Sequence, residues 1–263
     1  MVNAIFHGAA DCLHGSMQKM TIALYLQDAY LKESEAQIVR VTEEGDGMWR
    51  IVLDRTPFYP GEGGQPTDQG EIRCGEWCGK VQQVLRQQEQ IVHCVKAPFS
   101  PPEQGDVLAR VDWNRRYHNM RCHSAGHIID FALCLLGLSP SPLLFMKADH
   151  GKHPFLWYKG SVEAELTKPL ELKANELVQR DLKLSHHLLA YSEAKELALH
   201  LEPNALLGVS KGLIRLLTLD SIGSVADGGT QVQMTHEIGP ITILQVDGTD
   251  GSTKIHYDIL PIE

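Results

Sequence analysis

The chain has 263 residues, 43% hydrophobic and 22% charged, which is enough apolar material for one large domain or two modest ones and excludes disorder along its length. Its net charge of −9 excludes a broad basic face for holding nucleic acid non-specifically, while leaving room for a local patch that grips one RNA end. Six cysteines (Cys12, Cys74, Cys78, Cys94, Cys122 and Cys134) are too few for a disulfide framework in a chain this long.

Residues 1–20 show no secretory signal, and no window reaches the ~20 apolar residues of a membrane span, so a cytoplasmic protein is expected. Residues 1–19 read as an irregular lead segment. Residues 20–30, MTIALYLQDAY, predict a strand and turn. Short β-branched runs follow at 36–41, 49–53, 71–73, 81–84 and 90–95, separated by turns that carry Gly and Pro. This spacing predicts a small antiparallel β-barrel, and PFSPPEQG at 98–105 reads as a boundary loop. The expected division is an N-terminal barrel domain over 1–110 and an α+β domain over 111–263.

Residues 112–136 predict a long helix, with Asp112 as N-cap and Gly137 and Pro140 as stop signals. Residues 166–180 predict a second helix with Pro169 in its first turn, and residues 192–200 a third capped by Ser192. Strands are expected at 155–158, 213–219, 241–246 and 254–259.

Three segments carry the candidate chemistry. In HSAGH, residues 123–127, the helical spacing puts His123 and His127 on one face, one turn apart, where they could hold a cation between them. The same pair also fits a solvated helix face, since the chain has 13 histidines. Gly126 in mid-helix costs roughly 1 kcal/mol against Ala and points to close approach by something. The second segment is DGGTQ, residues 227–231. Asp227 offers an oxygen ligand, Gln231 a weak amide one, and Gly228 and Gly229 allow close approach of backbone to substrate; a tight turn is the plainer alternative. The third, TPFYPGEGGQPTD at 56–68, is too rich in Pro and Gly for regular structure. It reads either as a surface loop or as a fixed loop offering backbone groups and the Thr56 hydroxyl to a ligand.

In this order the segments resemble the editing domain of alanyl-tRNA synthetase and its free-standing AlaX relatives. That family carries Thr-x-Phe-Tyr-Pro…Gly-Gly-Gln…Asp, then His-x-x-x-His, then Cys-Gly-Gly-Thr-His; THEIG at 235–239 is similar to its Thr-Gly-Glu-Ile-Gly. The resemblance implies a barrel followed by an α+β editing domain of the threonyl/alanyl-tRNA synthetase second-domain type. It also implies hydrolysis, in trans, of serine or glycine wrongly esterified to alanine tRNA. His123 and His127 carry over as zinc ligands. The family's Cys and final His are Asp227 and Gln231 here. The site therefore holds zinc as His₂Asp plus water, takes another divalent ion suited to harder oxygen donors, or has lost its metal. His236 is the nearest spare ligand.

The resemblance also assigns roles. Thr56 would read a serine hydroxyl, and Gly228, Gly229 and Thr230 would line the reacting ester, with backbone N–H groups at Gly228 and Gly229 stabilising an oxyanion. Arg115, Arg116, Arg121, Lys147 and Lys152 would hold the acceptor end of the tRNA; each is equally readable as part of a solvated basic face. Two other functions fit the same sequence: a metal-free tRNA-binding or regulatory relative, and a metal-dependent hydrolase of small aminoacyl esters. Neither DNA nor membrane is an expected partner.

Overall fold

The computed structural model describes residues 20–199 and 212–260; the lead segment at 1–19 and the expected end of the third helix at His200 lie outside them. Two-residue strands β1 (Ile22–Ala23) and β4 (Arg55–Thr56) pair in parallel, and a 3-10 turn at Leu24–Leu26 follows β1. The strand expected at 20–30 is therefore much shorter than its apolar run.

Strands β2 (Glu33–Gly45), β3 (Met48–Leu53), β5 (Gly70–Cys74), β6 (Trp77–Gln87), β7 (Gln90–Lys96) and β8 (Asp106–Val111) close an antiparallel barrel in the order β2-β3-β7-β6-β5-β8. Closure removes the sheet edges. Side chains alternate in and out along each strand, and Ile51, Leu53, Ile72, Val84, Ile91 and Val95 fill the interior. Phe58 and Tyr59, from the 56–68 loop, join that core.

Helix α1 (Trp113–Leu135) leaves the barrel directly. The Asp112 carboxylate accepts from Arg115 N at 3.2 Å, the expected cap. At the other end Gly137 is left-handed, with φ 72°, and Leu138 N donates to Leu133 O at 2.9 Å. Beyond α1 come β9 (Leu144–Asp149), β10 (Phe155–Lys159), α2 (Thr167–Gln179), β11 (Leu184–Ala190), α3 (Tyr191–Leu197), β12 (Leu213–Leu219), β13 (Gly223–Ala226), β14 (Ile241–Asp247) and β15 (Ser252–Ile259). They form a four-stranded antiparallel sheet, β14-β15-β10-β9, and a three-stranded one, β11-β12-β13. The whole is α+β, as expected.

Five strands were absent from the expectations: β4, β8, β9, β11 and β13. Ser192 is not the cap of α3. That helix starts at Tyr191 after Ala190, whose N–H donates to the Glu193 carboxylate at 3.3 Å. Helices α1 and α2 pack together, α1 against β15 and α2 against β14, around a core that includes Ile128, Phe131, Leu177 and Ile255. Among the described residues no helix is long and apolar enough to cross a membrane.

Candidate functional site

The His123 and His127 rings lie 4.8 Å apart, centroid to centroid, on α1. Opposite them stands Asp227, the first residue after β13. Its Oδ1 is 3.4 Å from His123 Nε2 and 3.5 Å from His127 Nε2. The three donor atoms all lie within 4.8 Å of one another.

The barrel loop completes this cluster through Gln65. Gln65 Oε1 accepts from Thr230 N at 2.9 Å, which identifies that atom as the oxygen, and Gln65 Nε2 donates to Thr230 Oγ1 at 2.7 Å. His123 Nδ1 lies 2.9 Å from the same oxygen, so it must carry the proton. His123 Nε2 is left as a lone pair aimed at Asp227. Burial pushes the His123 pKa down to about 3, so the ring is neutral at ordinary pH.

Asp227 is held from the other side too. Its Oδ2 is 3.3 Å from His186 Nε2, on β11, and 3.3 Å from Arg215 Nη1, on β12. Gly229 N donates to Oδ1 at 3.0 Å. Burial opposes the charge on Asp227, but in the acid range where it titrates a protonated His123 and the hydrogen bond from His186 outweigh that cost and hold the carboxyl well below its ordinary range.

Both mid-site glycines have a steric reason. A Cβ on Gly229 would lie 2.3 Å from His123 Cε1, so only glycine lets this loop cross the ring. A Cβ on Gly126 would lie 2.4 Å from His150 Cε1. The expected close neighbour of Gly126 is thus a side chain. His150 is buried, its ring tilted 31° to that of His123 with centroids 4.4 Å apart, and contacts Tyr257 Oη at 2.6 Å; Tyr257 Oη in turn donates to Cys122 O at 3.0 Å.

The donor set fits a metal ion. A tetrahedral zinc with bonds of ~2.0–2.1 Å spaces its ligands roughly 3.4 Å apart. His123 and His127 stand at that spacing from Asp227 Oδ1. His127 Nε2 is a buried atom with no hydrogen-bond partner, and such atoms need an explanation. Gln231 does not join the three: its Oε1 accepts from Ser124 Oγ at 2.6 Å, and its Nε2 is buried without a partner.

Several expected roles move. Arg116 is buried against the Asp68 carboxylate, with Nη1 on Ala29 O at 2.9 Å and Nη2 on Pro57 O at 2.6 Å. Arg121 is buried on the carbonyls of Glu237, Ile238 and Leu260. Neither can meet a phosphate, because α1 is central and these guanidiniums are consumed in tying loops to it. Arg115 is half-buried, donating to Thr67 O at 3.1 Å, while Lys147 and Lys152 are exposed. His236 is exposed and paired with Asp181 at 2.5 Å, outside the cluster.

Thr56 is buried, with its hydroxyl 2.8 Å from His93 Nε2. His93 Nδ1 faces Ile51 O at 3.0 Å and must donate there, so the Thr56 hydroxyl donates to Nε2. Of the two expected oxyanion donors, the N–H of Gly229 is committed to Asp227; the neighbouring Thr230 N–H is committed to Gln65. Gly228 N–H has no partner among the described residues, and nothing lies within 4 Å of where its Cβ would be.

Sequence reasoning missed Gln65, His186 and Arg215 as site residues. Arg215 had a signal: it is the lone charge in the apolar strand LIRLLTL, and such a charge is buried only when paired.

Comparison with known proteins places these features in a family. A family model described as "tRNA synthetases class II (A)" matches residues 16–115. The chain is 30% identical over 251 residues to the alanyl-tRNA editing protein AlaX-M of Saccharolobus solfataricus, covering 92% of this chain and 100% of that protein. It is 31% identical over 258 residues to AlaX-M of Methanosarcina mazei, covering 90% and 96%. The alanine–tRNA ligase of Pyrococcus abyssi is 35% identical over 245 residues, 90% of this chain but only 26% of the ligase. Matched along nearly the full length of two AlaX-M proteins, the chain belongs to the AlaX family of alanyl-tRNA editing proteins.

Proposed function

We propose that this protein is a trans-acting deacylase that hydrolyses the ester joining a wrong amino acid, serine or glycine, to the 3′ end of alanine tRNA. The observation that carries this reading is the convergence of His123, His127 and Asp227, with Gln65 fixing His123 from the loop that holds the family motif. The family membership supports the substrate class, because the relatives of matching length are named as alanyl-tRNA editing proteins.

In this reading His123, His127 and Asp227 hold a divalent ion, zinc being the best match to two imidazoles and one carboxylate. When bound, such an ion orients the substrate or lowers the pKa of an attacking water. The chain's own residues do the rest. Gln65 keeps the His123 lone pair directed inward. Gly229 lets the 227–231 loop approach. Gly228, whose N–H has no partner among the described residues, offers it to the oxygen that becomes negative as the ester carbonyl is attacked. Thr56 would read a serine hydroxyl by exchanging its bond to His93.

The tRNA would meet Lys147 and Lys152, with Arg115 nearby at the barrel loop. Trp157, 40% exposed, lies in register between Lys147 on β9 and Lys254 on β15. An exposed ring flanked by two cations suits stacking of a base beside bound phosphates.

Arg215 favours a second reading, a metal-free tRNA-binding relative, since a cation already faces Asp227. Deacylation of Ser-tRNA(Ala) by protein of measured metal content separates the two. Turnover by metal-loaded protein supports the deacylase, and absence of both metal and turnover supports the binder.

A further inference from the structure

The two oxygens of Asp227 have different surroundings. Oδ1 faces His123 Nε2 and His127 Nε2 at 3.4 and 3.5 Å and accepts from Gly229 N at 3.0 Å. Oδ2 faces His186 Nε2 and Arg215 Nη1, each at 3.3 Å. Arg215 Nη1 also donates to Gly229 O at 2.9 Å and reaches Asp227 O at 3.3 Å, so one guanidinium nitrogen ties together the turn and the carboxylate it presents. Arg215 is buried, and the His186 side chain is 22% exposed. Neither belongs to the family motifs; both come from the three-stranded sheet whose last strand, β13, runs into Asp227.

The need for such a device follows from the replacement of thiolate by carboxylate. A thiolate presents one donor atom, whereas a carboxylate presents two and can bind a metal through either or both. Ligating carboxylates are themselves oriented by hydrogen bonds from the surrounding protein. The fit of Oδ1 to the two histidines depends on Oδ2 staying turned away.

We propose that His186 and Arg215 are positioning residues that clamp Oδ2, so that Asp227 serves as a one-oxygen metal ligand in place of a cysteine. This rests on the metal-binding reading above. Arg215 supplies charge and shapes the 227–229 turn. His186 supplies an N–H from the open side of the site.

The test uses the full chain stripped of metal and titrated with cobalt(II), whose visible absorption is strong in four-coordinate sites and weak at higher coordination number. Zinc(II) affinity is measured by competition with a chelator. The variants are Arg215→Met, His186→Leu and His186→Gln. In Arg215→Met and His186→Leu, Oδ2 is released to the metal, and absorption per cobalt ion should fall at least two-fold. His186→Leu should also lose about ten-fold in zinc affinity. His186→Gln keeps an N–H donor and should restore the wild-type spectrum. Should Arg215→Met fail to fold, the two His186 variants decide the matter, because that side chain is partly open to solvent. Wild-type spectra in all variants would overturn the clamp while leaving the metal-binding reading intact. Failure of the wild-type chain to bind cobalt(II) would overturn that reading and the clamp with it.

Discussion

Gln65 Oε1 and His123 Nδ1, 58 positions apart in the chain, lie 2.9 Å apart and join the barrel loop to the central helix. The amide also ties down Thr230 through both its atoms, so one side chain sets the tautomer of a ligand and the position of the loop that faces it. Gln65→Leu should keep the fold yet weaken zinc binding 10–100-fold. Chelator competition measures this, and unchanged affinity would show that the bond does not orient His123.

Gly126→Ala tests the packing of His150 against α1. Helix propensity alone predicts a gain of roughly 1 kcal/mol. The new Cβ would instead crowd His150 Cε1 and displace a ring packed against His123. A lower melting temperature together with weaker metal binding is expected. A higher melting temperature would mean that the ring yields without cost.

Arg116 and Asp68 are both fully buried and joined as an ion pair, with further bonds from Arg116 to Ala29 O and Pro57 O. Removing one partner leaves an uncompensated charge, so Arg116→Met should cost about 3–5 kcal/mol in urea unfolding. A loss below about 1 kcal/mol, with weakened tRNA binding, would return Arg116 to the RNA-binding role expected from sequence.

His93 gives the chain a definite pH dependence. Burial lowers its pKa from 6.5 to about 4 in the folded protein. The unfolded chain takes up a proton below about pH 6.5, while the folded chain stays neutral there down to about 4. Stability is therefore full above the unfolded value and falls as pH drops through this window, by about 2 kcal/mol at pH 5 from this residue. Urea midpoints of metal-free protein at pH 7.5 and 5 should show the loss, and His93→Gln should reduce it. An equal loss in the variant would assign the effect to other groups.

Barrel strands β2, β3, β5, β6 and β7 were legible as short β-branched runs between turns that carry Gly and Pro, β8 was not, and α1 was legible from Asp112 and Gly137. Strand β11 was missed because LSHHLLA puts two histidines where alternation would be sought, and β13 because GSVA is four residues long and begins with glycine. The histidine pair and Asp227 stood out by motif. The errors at Arg116 and Arg121 have one cause. Helix α1 is buried on most sides, so its polar residues meet partners far away in the chain that no local pattern displays. Gln65 escaped for the same reason, since it acts through a tertiary contact, whereas Arg215 stood out as a lone charge in an apolar strand whose partner the strand does not name.

The central claim is that His123, His127 and Asp227 form a metal-dependent deacylation site. Its most direct test is the rate of Ser-tRNA(Ala) hydrolysis by purified protein, with metal content measured on the same sample, for the wild type and for His123→Ala. The wild type should carry about one divalent ion per chain and hydrolyse the ester, and His123→Ala should be folded, metal-poor and at least 100-fold slower, as expected when a ligand of a catalytic metal is lost. Full activity in His123→Ala, or in wild-type protein freed of metal, would contradict the claim.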